Sequence, residues 1–139
     1  MDGRHEARRT GACSGWMSAA GLSGMLAVGF GAFGAHGLER MAGGIDPRDL
    51  AAYETGALYH LIHTLAFIGV AMLAREGARL ARVAGLLFLL GIVLFSGSLY
   101  FLGITGSRAL VLVTPVGGLC LIFGWMAVAV ASLRLGQNR

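Results

Sequence analysis

Four long apolar stretches, separated by short connections that hold most of the charged residues, run through this chain of 139 residues. They cover about residues 16–38, 56–74, 80–104 and 115–133. Each is close to the roughly 20 residues that an α-helix needs to cross a hydrocarbon core of about 30 Å. The pattern predicts an all-α fold, an integral membrane four-helix bundle within residues 16–134. Residues 1–15 are predicted as a mobile, arginine-rich tail and residues 135–139 as a second short tail.

The longest polar segment lies between the first and second spans, from Glu39 to Glu54. Within it Asp46 precedes Pro47, which is typical of a helix start because aspartate caps free amides and proline suits the first helical position. This helix is predicted to continue into the second span. Its first two turns, residues 47–54, are expected to form a short surface helix. Thr114 before Pro115 predicts a similar capped start for the fourth span.

Small residues recur at alternating steps of three and four in the first and fourth spans, which places each set on one helix face. Such faces let neighbouring backbones approach closely in a membrane, where burial from water does not drive association. Both faces are therefore predicted to pack against other helices. Their members are Ala20, Gly24, Ala27, Gly31 and Gly34 in the first span, and Gly117, Cys120, Gly124, Ala127 and Ala131 in the fourth.

Two histidines three residues apart, His60 and His63, interrupt the apolar face of the second span. They lie about 60° apart around the helix axis, with Tyr53 two turns before His60 and Thr64 on the same face. Because the four spans alternate in direction, the few polar residues within them fall in the same half of the bilayer. This is the outer half, opposite the side that holds both termini. The sequence therefore predicts a polar pocket formed by His36, Tyr53, His60, His63, Thr64, Ser96, Tyr100 and Thr114.

The composition excludes a soluble domain, since 56% of the residues are hydrophobic and 13% are charged. The eleven basic residues are all arginines at span ends, without the basic stripe of a nucleic-acid-binding protein. Eight of them lie on the side that holds both termini and three on the other, which predicts cytoplasmic termini. Cys13 and Cys120 lie too far apart in depth for a disulfide, so two free thiols are expected.

Four short motifs in order resemble the YgdD-type family, small four-span membrane proteins of unknown function with eukaryotic relatives. The resemblance covers about residues 19–133 and implies a four-helix fold in the bacterial inner membrane, without any established reaction or catalytic residue. The motifs are Gly31-Ala32-Phe33-Gly34-Ala35-His36-Gly37-Leu38, Tyr59-His60 with His63, Leu94-Phe95-Ser96-Gly97-Ser98-Leu99-Tyr100, and Thr114-Pro115-Val116-Gly117-Gly118 with Gly124-Trp125.

Several functions remain open for the polar residues. The histidines can make interhelical hydrogen bonds, bind a small polar ligand, a lipid headgroup or a quinone headgroup, or hold a metal or haem through His36, His60 and His63. Ser96 and Ser98 point to nearly opposite faces, and neither lies in a recognisable arrangement with a base, so enzymatic use is not expected. Trp16 suits an interfacial anchor, and Trp125 is expected in the core.

We therefore interpret the chain as a non-catalytic accessory or scaffold subunit. Its cofactor is unknown: none is expected, and haem or a metal is the alternative. Its expected partners are membrane lipid and either copies of itself or a larger membrane complex. Ligand binding or transport in the outer polar pocket is the alternative.

Overall fold

The computed structural model describes residues 3–40 and 45–137, and of residues 3–9 and 39 it describes the backbone alone. Over this part the fold is all-α, without a strand, and four helical stretches are long and apolar enough to cross a membrane. The prediction of a four-span membrane bundle is confirmed. The helices are α1 Gly3–His36, α2 Pro47–Arg75, α3 Leu80–Gly91, α4 Gly97–Thr105 and α5 Val113–Gln137. Short 3₁₀ turns occupy Leu38–Arg40 and Arg108–Leu110.

The third span consists of α3 and α4 joined by a π-helical turn, Ile92–Ser96. In this turn the amide of Gly97 bonds back to the carbonyl of Ile92, five residues earlier. Such turns hold one residue more than an α-helical turn and occur frequently at functional sites. The side chains before and after the turn are therefore rotated relative to an uninterrupted helix.

The start of α2 is as predicted. Asp46 is its N-cap, Pro47 follows, and a carboxylate oxygen of Asp46 accepts a hydrogen bond from the amide of Arg48 at 2.7 Å. The expected surface helix forms the first two turns of α2 without a break. Asp49 and Tyr53 in these turns are buried against the rest of the bundle, so they are not purely a surface feature.

The described part of the N-terminal tail is helical, since α1 begins at Gly3; residues 1–2, and residues 138–139 of the other tail, lie outside the described residues. The mobility of the tail stays a prediction. One local expectation is wrong. Thr114 does not cap α5, which begins at Val113. Its hydroxyl oxygen lies 2.7 Å from that of Ser98 in α4, so a tertiary partner replaces the local one.

The two central helical segments are α2 and the third span. In their most apolar windows 44% and 39% of the residues are buried, against 17% in α1 and 22% in α5. Helix α1 packs mainly on α2, and α5 packs mainly on α3 and the π-helical turn. This arrangement leaves one broad face of α1 and one of α5 open to lipid.

The predicted small-residue faces lie at these two contacts. A Cβ atom on Gly24 would meet Thr64 at 3.5 Å, and one on Gly34 would meet the Tyr53 ring at 2.7 Å. On α5, a Cβ atom at Gly117 would lie 2.3 Å from the backbone nitrogen of Phe95. The other members are distributed unevenly: Ala20, Ala27, Gly124 and Ala131 are buried, whereas Gly31, Cys120 and Ala127 are partly exposed.

Candidate functional site

His60 is the centre of a hydrogen-bonded group between α1, α2 and α4. Its Nε2 lies 3.2 Å from the hydroxyl of Ser23, and its Nδ1 lies 3.1 Å from the hydroxyl of Tyr100. The same Ser23 oxygen lies 2.6 Å from the hydroxyl of Thr64. Four polar side chains thus form a continuous chain of hydrogen bonds, which we call the His60 network. It satisfies polar groups that would be costly to leave unpaired in a membrane interior.

Aromatic rings enclose one end of the His60 network. Phe30 stacks on Tyr100 with ring centroids 4.5 Å apart, and Tyr53 approaches Tyr100 to 4.8 Å. The Tyr53 hydroxyl donates to the backbone carbonyl of Phe30 at 2.7 Å, so Tyr53 ties α2 to α1 rather than joining the network. Because Tyr53 is fully buried and Tyr100 nearly so, this end of the network is closed by packed rings.

His63 makes a separate pair with Trp125 of α5. Its Nδ1 donates to the carbonyl of Tyr59 at 2.7 Å, and its Nε2 accepts from the indole Nε1 of Trp125 at 3.1 Å. A carbonyl only accepts and an indole only donates, so this geometry fixes one neutral tautomer. Both ring nitrogens are occupied. Trp125 was expected in the core, but 46% of it is exposed, and it contributes a hydrogen bond rather than core volume alone.

Ser98 and Thr114 form a third group, joined by the hydroxyl contact described above. Ser98 also donates to the carbonyl of Phe95 at 2.8 Å. Ser96, two residues away, lies at the end of the π-helical turn and is 0% exposed. Its hydroxyl has no hydrogen-bond partner among the described residues. A buried hydroxyl in this state is uncommon and requires an explanation.

The predicted single pocket is therefore divided into separate groups, and His36 belongs to none of them. His36 is exposed at the end of α1, thirteen residues beyond Ser23, or about 20 Å along the helix. Among the described residues no three histidine, cysteine or acidic side chains are grouped so that they could hold a metal ion. The ligand set of His36, His60 and His63 is not assembled. Cys13 and Cys120 are both free, as expected.

Two participants were missed by the sequence reasoning, Ser23 and Trp125. Ser23 lies beside Gly24 on the packing face of the first span, and a hydroxyl within such a face is a known source of interhelical hydrogen bonds. That position was the available signal. Trp125 gave no comparable signal, because its pairing depends on how α5 is rotated against α2.

The chemistry available to these groups is limited. The contact between Ser23 and His60 has the separation of a nucleophile and a base, and Tyr100 occupies the place of the third member. However, the Ser23 oxygen is also bonded to Thr64, and a phenol orients the imidazole where hydrolases use a carboxylate. The arrangement is typical of a structural hydrogen-bond network between helices.

The chain has clear relatives. Residues 30–118 match the family model described as a protein of unknown function, DUF423. The chain is 44% identical to the UPF0382 membrane protein YwdK of Bacillus subtilis over 81% of this chain and 91% of that protein. It is 39% identical to the UPF0382 inner membrane protein YgdD of Escherichia coli over 86% of this chain and 89% of that protein. No solved structure matches the chain.

Proposed function

This chain belongs to the DUF423 family, whose members are membrane proteins of unknown function, and we propose its role from the geometry of the structure. It is a non-catalytic accessory or scaffold subunit that packs laterally against another membrane helix. By analogy with the E. coli relative, we place it in the bacterial inner membrane. The arginine distribution supports cytoplasmic termini.

The outward face of α1 carries this proposal. Gly21 and Gly29 are exposed, and outside the adjacent residues and nearby backbone of α1 no described atom lies within 4 Å of the position that a Cβ atom would occupy on either. Within a helix glycine is about 1 kcal/mol less favourable than alanine. Their close-packing ability is unused inside this bundle, in contrast to that of Gly24 and Gly34. A partner helix that approaches this face gives these glycines a role.

The state of the histidines supports a non-catalytic role. All four ring nitrogens of His60 and His63 lie within hydrogen-bond distance of partners in the chain. A histidine that serves as a general base or metal ligand needs a nitrogen that is available to substrate or metal. The observed partners favour structural cross-links between α2 and its neighbours.

Replacing both Gly21 and Gly29 with leucine should weaken lateral association while leaving the fold intact, because a Cβ atom at either position meets no described atom of a neighbouring helix within 4 Å. We expect association at least tenfold weaker, a change of about 1.4 kcal/mol. Native mass spectrometry after mild detergent extraction from the original membrane measures this. The matched control is Gly69→Leu on α2, which also has open space around its Cβ position. An unchanged assembly in the double variant would rule out this face.

A second candidate function, binding of a small polar molecule or headgroup, is favoured by one observation, the unpartnered Ser96 hydroxyl. A bound molecule that contributes a donor or acceptor at this position removes the cost of burying the group, which is about 1–3 kcal/mol. The adjacent π-helical turn is the kind of distortion often found at binding sites.

Ser96→Ala tests this candidate. If Ser96 holds a ligand, native mass spectrometry of wild-type protein shows a defined extra mass that the Ser96→Ala protein lacks. Ser98→Ala is the control, since that hydroxyl already has two partners in the chain. A wild-type protein without an adduct, or an adduct that survives in Ser96→Ala, would contradict ligand binding at Ser96.

A further inference from the structure

A small recess lies at the arginine-rich end of the bundle, where the connection from α2 to α3 meets the last turns of α5. Its volume is about 270 Å³, and its walls include Gly77, Arg79 and Leu80 on one side and Ala131 and Arg134 on the other. Two arginines that are far apart in the sequence thus line the same recess. Its mixed polar and apolar walls suit a group that lies at a membrane surface.

Two exposed arginines give this recess its positive charge. Arg79 and Arg134 are exposed, and neither forms an ion pair with a described carboxylate. At the opposite end Arg108 does have such a partner, Asp49, at 3.5 Å. Arg79 is also the N-cap of α3 and provides no side-chain cap, so the partial positive charge of the helix start adds to the guanidinium charges.

A separate apolar groove lies near the same end of α3. It has a volume of about 480 Å³ between α1 and α3, and is lined by Gly15, Trp16, Ala19 and Leu86, with Arg82 among its wall residues. Arg79 and Arg82 are three residues apart and so lie near each other on the helix surface. The recess and the groove therefore lie at the same end of the bundle, and Arg79 and Arg82 on the surface of α3 link them.

We propose that this end of the bundle is a specific site for an anionic phospholipid, with its phosphate in the recess between Arg79 and Arg134 and an acyl chain in the groove beside Arg82. Guanidinium groups bind phosphate through paired, charge-assisted hydrogen bonds. Basic pockets between membrane helices are known sites for headgroups such as that of cardiolipin. The groove adds burial of a chain, which a free phosphate cannot supply. The site does not depend on the proposed accessory role.

The test is lipid retention by purified protein, measured by native mass spectrometry with added cardiolipin, phosphatidylcholine or glycerol 3-phosphate. Wild-type protein should retain cardiolipin at least tenfold more tightly than phosphatidylcholine. Arg79→Gln with Arg134→Gln should remove this preference. The matched control is Arg40→Gln with Arg48→Gln at the other end, which changes the net charge equally and should leave the preference intact.

Three results would overturn the proposal. One is equal cardiolipin retention in the Arg79→Gln, Arg134→Gln protein and the wild type. Another is equal retention of cardiolipin and phosphatidylcholine by the wild type. This comparison needs no variant, so it contradicts the proposal even when the variant folds poorly. The third is glycerol 3-phosphate binding as tight as that of cardiolipin, which would reduce the site to a phosphate site without a role for the groove.

Discussion

Replacing Gly117 with alanine should destabilise the bundle by about 3 kcal/mol, the upper end of the usual overpacking range. The added methyl group would lie 2.3 Å from the backbone nitrogen of Phe95 and 2.8 Å from the carbonyl carbon of Leu94. Side chains can rotate away from such a contact, but these atoms belong to the backbone of the third span. The whole of α5 must therefore move outward, and the Ser98 to Thr114 contact beside it must lengthen.

The neighbouring glycine provides the control. A Cβ atom on Gly118 would meet only the Phe95 ring, at 3.7 Å, which is an ordinary contact. Gly118→Ala should leave stability unchanged or raise it by up to about 1 kcal/mol, the helix-propensity difference between the two residues. Titration of the folded protein in mixed micelles with a denaturing detergent, followed by circular dichroism, measures both variants. Equal effects of the two substitutions would show that α5 does not pack on the third span at this distance.

Breaking the link between His60 and Tyr100 should give the second large effect. His60→Leu leaves the buried Tyr100 hydroxyl without its partner, and Tyr100→Phe leaves the Nδ1 of His60 unpaired. Each single change should cost about 2 kcal/mol, the usual penalty for orphaning a buried polar group. The double variant should cost less than the sum by at least about 1 kcal/mol, since it removes both polar groups together.

The same unfolding measurement gives this double-mutant cycle, and Tyr59→Phe is its control. The Tyr59 hydroxyl makes no hydrogen bond within the described part of the chain, so its loss should change stability by less than about 0.5 kcal/mol. Strictly additive effects of the His60 and Tyr100 substitutions would indicate that the 3.1 Å contact contributes nothing to the fold. The cycle thus tests directly whether His60 has a structural role.

Features encoded by neighbouring residues were predictable from the sequence. The apolar stretches gave the four spans, and Asp46 with Pro47 gave the start of α2, because a helix cap depends on residues within one turn. Thr114 has the same local pattern, yet its hydroxyl bonds to Ser98, sixteen residues away. A local pattern does not reveal that a distant partner competes for the same group.

The candidate site was predictable only in part, for a similar reason. Helical periodicity places His60 and His63 on one side of α2, but it does not say which neighbour each will meet. The structure directs His60 towards Ser23 and Tyr100, and His63 towards Trp125. That division depends on the rotation of α1 and α5, which is set by the packing of glycines such as Gly34 and Gly117 against side chains and backbone.

The π-helical turn rotates the side chains after it relative to those before it in the third span. This rotation affects which substitutions the fold can accept. An additional residue within a helix shifts everything after it by about 100° around the axis. The directions of Phe88, before the turn, and Tyr100, after it, are therefore not related by α-helical periodicity, although both residues belong to one span. Substitutions that change the packing of α3 on α5 can therefore leave the orientation of Tyr100 towards His60 unchanged. Conversely, loss of one residue from Ile92–Ser96 would change that orientation without altering the hydropathy that makes the segment a membrane span.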